Sequence, residues 1–237
     1  MYVFGGLIEE GNQAQSDFWQ FHFPSKTWLE IYPNHKEDVW PSARMEHCAV
    51  MVTLPQRRRK LSWVSNVKTR DDEDEMGINL YNQMFIFGGY SNISVEFSDE
   101  LYCYDFTDCR FHKVEYHVHS EGLFYLGFKK AKTVAPRSRF AMVNARDEKL
   151  YIIGGMTNLS ICLMDVWEYD IDSQTMTCLW EDKDEDRNLQ VTKEECMEYP
   201  EPRCFHSCVY CHKEKCSVHV WGYSKKVSLA TNNFLNL

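Results

Sequence analysis

The chain has 237 residues, 44% of them apolar and 14% aromatic, and carries a formal net charge of −9. That apolar content is enough for a sizeable core, and no run of residues reaches the length of a membrane-crossing helix. The acidic balance speaks against general nucleic-acid binding, which needs a basic face, and favours solubility and basic partner segments.

The first predicted element is Val3-Phe4-Gly5-Gly6, a short apolar run closed by two glycines. Eleven residues after the second glycine comes an acid, Asp17, then Phe18-Trp19, a further aromatic at Phe21, a turn at Pro24-Ser25-Lys26 and a bulky residue at Trp28. The same pattern returns twice, with the acid eleven and then ten residues after the second glycine. Ile86-Phe87-Gly88-Gly89 leads to Glu100, Leu101-Tyr102, Tyr104 and Phe111. Ile152-Ile153-Gly154-Gly155 leads to Asp165, Val166-Trp167, Tyr169, the turn Asp172-Ser173-Gln174 and Met176. Bounded apolar runs and alternation such as Trp167-Glu168-Tyr169-Asp170 read as β-strands. The glycine pairs are expected to end a strand where φ turns positive or the backbone passes close to a neighbour. A further strand precedes each later glycine position, and these strands are opened by Pro41-Ser42-Ala43-Arg44-Met45-Glu46-His47, Pro136-Arg137-Ser138-Arg139-Phe140 and Pro202-Arg203-Cys204-Phe205-His206. These align Arg44, Arg137 and Arg203, and likewise His47, Phe140 and His206. The last unit is the weakest: Val218-His219-Val220-Trp221-Gly222-Tyr223 keeps one glycine, and Asn233-Phe234-Leu235-Asn236-Leu237 fits its third strand.

The unit is four antiparallel strands and resembles the Kelch repeat, which builds one blade of a β-propeller. The resemblance implies an all-β, Kelch-type β-propeller of about three and a half blades in an incomplete ring, as a single unit over 1–237. The blades span about 1–31 (lacking a first strand), 41–114, 136–180 and 202–237 (lacking a fourth). Such a ring reads as a fragment, a shortened isoform or a truncated gene product. The competing expectation is self-association through the open edges, two copies completing each other, because uncovered strand edges and apolar blade faces favour pairing.

Three inserts interrupt the repeat, at about 54–82, 115–134 and 181–199. The first carries Arg57-Arg58-Arg59-Lys60, which reads as a nuclear import signal or as one half of a self-compensating loop whose other half is Asp71-Asp72-Glu73-Asp74-Glu75. In the second, Leu123-Phe124-Tyr125-Leu126 is a candidate for docking on a neighbouring blade or on a partner. Ten cysteines without a small disulfide scaffold fit a reducing compartment, so a cytoplasmic location is expected, with the nucleus as the alternative. Asn92-Ile93-Ser94 and Asn158-Leu159-Ser160 match glycosylation sequons and equally fit polar turns in equivalent loops. Cys204, His206, Cys208, Cys211, His212 and Cys216 crowd near the C-terminus, with Cys211 and Cys216 facing each other across a hairpin. A thiol cluster is the expectation there, and no metal or other cofactor is assigned.

There is no Gly-rich phosphate loop, serine elbow or histidine pair on a helix, so no catalytic residue is assigned and the chain is not expected to be an enzyme. The resemblance implies a non-catalytic scaffold that binds a partner peptide through propeller loops, including the role of substrate adaptor for a ubiquitin ligase; cytoskeletal scaffolds and copper oxidases of the galactose-oxidase type are the alternatives. In Kelch propellers, ligands sit where loops between second and third strands meet those joining blades. At matching positions that nominates Tyr90, Ser91 and Asn92, then Met156, Thr157 and Asn158, together with Arg44, Arg137 and Arg203. Three guanidiniums suit an acidic or C-terminal carboxylate ligand. The same arginines also read as ties between adjacent blades. No nucleic acid or membrane partner is expected.

Overall fold

The computed structural model describes residues 1–55, 80–119, 133–145, 148–180 and 202–211, and the backbone of 216–220 and 233–236. Among these residues the chain is all-β, with no α-helix and no helix long and apolar enough to cross a membrane. The first sheet is an antiparallel meander of β1 (Tyr2–Ile8), β2 (Gln13–His22) and β3 (Thr27–Ile31). The second starts with β4 (Cys48–Pro55) and β5 (Leu80–Phe87). A short hairpin of β6 (Tyr90–Ser91) and β7 (Glu96–Phe97) follows, and β8 (Leu101–Asp105) and β9 (Arg110–Val114) complete the sheet. After β10 (His117–His119), the third sheet is formed by β11 (Ala141–Asn144), β12 (Lys149–Met156), β13 (Cys162–Asp170) and β14 (Thr175–Trp180). The fourth contains β15 (Ser207–Cys211), β16 (Cys216–Val220) and β17 (Asn233–Asn236). Its register sets Cys211 opposite Cys216 and pairs β17 with β16, as the sequence predicts.

Three details differ from the sequence reading. The third sheet has five strands, because β10 leaves the second insert and pairs parallel with β14. Its flanking apolar residues explain the docking: Tyr116 and Val118 pack on the core between the second and third sheets, and the Tyr116 hydroxyl donates to the Asp99 carbonyl at 3.0 Å. The first insert is shorter than 54–82, since Leu54 and Tyr81 are buried strand residues paired across β4 and β5. Leu123–Leu126, the basic and acidic clusters of the first insert, and the whole of 181–199 lie outside the described residues. Finally, the glycine pairs of the first and third sheets do not end their strands. They form bulges in β1 and β12, beyond which pairing resumes.

The sheets stack face to face in chain order. Phe4 and Phe18 of the first sheet meet Met84, Ile86, Tyr102 and Tyr104 of the second. The alternate residues Phe85, Phe87, Leu101 and Cys103 turn the other way, onto Leu150, Ile152, Trp167 and Tyr169 of the third. Tyr151, Ile153 and Val166 then face Cys208 and Tyr210 of the fourth. Burial on both faces explains why β5 and β8 read as continuous apolar runs rather than as alternating ones. The edge strand of the third sheet, β11, contacts both β4 of the second sheet and β15 of the fourth. Among the described residues no sheet closes into a ring. On the face of the first sheet turned away from the second, Val3 and Trp28 are exposed.

Candidate functional site

The junctions between sheets are built from the glycine pairs and the aligned arginines. The amides of Gly6, Gly89 and Gly155 donate to the carbonyls of Arg44, Arg137 and Arg203, each in the following sheet, at 2.9, 2.9 and 3.0 Å. The amides of the same arginines return bonds to Gln15, Ser98 and Leu163, each two residues before the acid of the preceding unit. The first glycine of each pair must let this backbone approach. A Cβ on Gly88 would lie 2.8 Å from the Arg137 oxygen, and one on Gly5 would lie 2.7 Å from the Arg44 oxygen.

The arginine side chains turn back into their own sheets. Arg44, 1% exposed, spends all five donors: Nε on the Ser42 carbonyl, Nη1 on the Gly88 carbonyl and Ser98 Oγ, and Nη2 on Ser42 Oγ and Glu100 Oε2. Arg137, fully buried, meets both carboxylate oxygens of Asp165 at 2.7 Å and also bonds the carbonyls of Gly154 and Ala135. Arg203 is buried at the same register. The guanidiniums of Arg44 and Arg137 thus bond within their own sheets, and it is the backbone of the aligned arginines that joins one sheet to the next. Arginine suits this place because a planar fork can grip a carboxylate and carbonyls together.

The acid of each unit also accepts from the aromatic side chain two residues on: Asp17 from Trp19, Glu100 from Tyr102, Asp165 from Trp167. Sequence reasoning aligned these acids without recognising them as the arginines' counter-ions. The signal was present, since one arginine and one acid recur in each of the two complete units.

Burial tends to raise the Glu100 carboxyl, but bonds from Lys113 and Arg44 outweigh it and hold the group down at about 2. Burial, with the charge of Arg44 behind it, pushes the His47 imidazole down from 6.5 to about 4. His47 packs edge-on against Phe4, as Phe140 packs against Phe87 one sheet further on. An unfolded chain binds the His47 proton at a pH where the folded one does not. Stability is thus complete above about 6.5 and falls by up to about 3 kcal/mol as the pH drops to about 4. Glu100 adds a further loss below 4.5, continuing to about 2. Urea titrations at a series of pH values should show both windows, and His47→Phe should flatten the first while leaving the second.

The nominated loop residues gather at one end of the sheets. Tyr90 pairs through its main chain with Met45 in both directions, and Met156 does the same with Ser138. The Asn92 side chain accepts from the Ala14 amide at 2.9 Å and donates to the Asn12 carbonyl at 2.6 Å, joining the loops of the first two sheets. That use of its amide nitrogen leaves the sequon at Asn92 acting as a structural tie. Thr157 sits in a turn closed by Ile161 and Ser160, and Asn158 is exposed beside it. Ser91 opens into a cavity of about 310 Å³ where the β6–β7 hairpin meets the segment preceding β4. Arg44 and Ser42 form one wall of this cavity, and Glu96, Ser98 and Asp99 another. Of the nominated residues, only Arg44 and Ser91 share this cavity. Among the described residues no three His, Cys, Asp or Glu side chains gather as metal ligands, and His212 lies outside them.

No protein-family model matches the chain, and no curated protein does. Among solved structures it is similar to that of YjhT, with a TM-score of 0.52 and 12% identity over 93% of this chain. The chain spans 55% of the length of that structure. At this identity the likeness speaks of fold alone.

Proposed function

We propose that the chain is part of a Kelch-type β-propeller and serves as a non-catalytic protein-binding module. Stacked sheets supply a rigid frame, and the connections at one end recognise a segment of a partner protein. The observation that carries this reading is the division of labour in the repeat. Glycines, arginines and acids are consumed in holding sheets together, while the loops at the end of the second and third sheets present a polar cavity and exposed side chains, among them Ile93, Val95 and Leu159. A scaffold whose charged residues are internally matched leaves recognition to its connections. In this reading the module acts as an adaptor that brings a bound protein to other machinery.

The test is affinity capture from cell extract with the whole chain and with a variant carrying Ser91→Arg and Asn158→Arg, both in these loops. Proteins held by the parent and lost by a variant of unchanged melting temperature support the module. The same set held equally by both would contradict it.

A further inference from the structure

We propose that the cavity beside Arg44 takes the cationic side chain, arginine or lysine, of an extended partner segment. The inference rests on the protein-binding reading above and gives that partner a charge opposite to the one the aligned arginines alone imply.

The repeat provides an internal control. Counted back from the acid of each unit, Asp99 aligns with Met164, Ser98 with Leu163 and Glu96 with Ile161; counted back from the arginine, Ser42 aligns with Ala135. Backbone geometry fixes this register. Val95 and Ser160, each five residues before the acid, share φ values of 58° and 57°. The carbonyls of Ser98 and Leu163 both accept the arginine amide of the following sheet. The third sheet builds the same arginine–acid clamp and the same glycine-amide junction with apolar side chains at all four positions. The fold therefore does not require hydroxyls and carboxylates in the second sheet. They are additions to the scaffold, and they converge on one cavity.

The chemistry of the lining selects the ligand. Arg44 has no donor left to offer an anion. The hydroxyls of Ser91 and Ser94 and the carboxylates of Glu96 and Asp99 remain, and among the described residues no hydrogen bond or ion pair engages either carboxylate. Carboxylates only accept, and guanidinium and ammonium groups only donate, so the two sets are complementary. The volume of about 310 Å³ stands at the small end of ligand pockets, fitting one side chain with its waters rather than a large cofactor. Beside it, Ile93 and Val95 are 60% and 72% exposed and offer apolar cover to neighbouring residues of the segment. The chain's net charge of −9 favours encounter with basic segments.

Panning a random twelve-residue peptide display library on the full chain tests the proposal. Enriched peptides should share an arginine or lysine at one fixed position, and Glu96→Gln with Asp99→Asn should weaken them at least tenfold. These isosteric changes remove charge from groups that hold nothing in the fold. Peptides that bind this end without a basic residue, or that ignore the double substitution, would overturn the cationic pocket and leave the protein-binding reading standing. Peptides that bind the Ser91→Arg, Asn158→Arg variant as tightly as the parent would contradict the loop-binding reading itself, a result distinct from insensitivity to the Glu96→Gln, Asp99→Asn pair alone.

Discussion

Arg137→Ala should lower the free energy of unfolding by about 4 kcal/mol, because removing one partner of a buried pair strands the other without compensation. Asp165 would lose a two-pronged contact at 2.7 Å, and the Gly154 and Ala135 carbonyls would lose their donors. In a chain of this size the melting temperature should fall by roughly 10 °C. Asp165→Ala should cost a similar amount, and the double substitution clearly less than the sum of the two. Arg44→Ala should be milder, since Glu100 is one-third exposed and keeps Lys113 as a partner. Urea denaturation of the four variants measures the series. Losses below about 1 kcal/mol at Arg137 would mean that the clamp is not formed.

Gly155→Ala should cost about 3 kcal/mol or more, from two effects that the repeat allows to be separated. Its φ of 103° strains any residue with a side chain, and a Cβ would lie 2.6 Å from that of Phe140 and 2.8 Å from the Ser138 oxygen. Gly6 has nearly the same φ, 105°, but a Cβ there meets nothing within 4 Å, because β1 is the edge of the first sheet. Gly6→Ala should therefore cost only the backbone strain, about 1–2 kcal/mol. The difference between the two variants isolates the close approach of β12 to the strand beside it. Equal costs would show that this approach does not occur.

The repeat was legible because its signals are local. Glycine pairs, strand alternation and the aligned arginines can be read along the chain without knowing what they touch, and even Asn233–Asn236 was placed by register. The partner of each arginine was harder to see. It depends on acids 56 and 28 residues away, and on a side chain that turns into its own sheet while its backbone bonds the one before. β10 escaped notice because three residues at the start of an insert carry too short a pattern, and its parallel pairing with β14 joins segments far apart in sequence. The bulges had no separate sign, since a glycine pair that bends a strand and one that ends it look alike. At the candidate site, the loop positions came from the repeat register, but the cavity came from Ser42, Glu96, Ser98 and Asp99, which vary between units and so sit outside any repeat pattern.

Face-to-face stacking of successive sheets, locked by glycine amides on the next arginine's carbonyl, is tested most directly by hydrogen exchange followed residue by residue with NMR. The amides of Gly89 and Gly155 should exchange as slowly as those in the middle of β5 and β12, because each donates across a sheet junction at 2.9–3.0 Å. Exchange of both at the rate of an open loop, with β5 and β12 still protected, would show that the sheets fold without joining in this way.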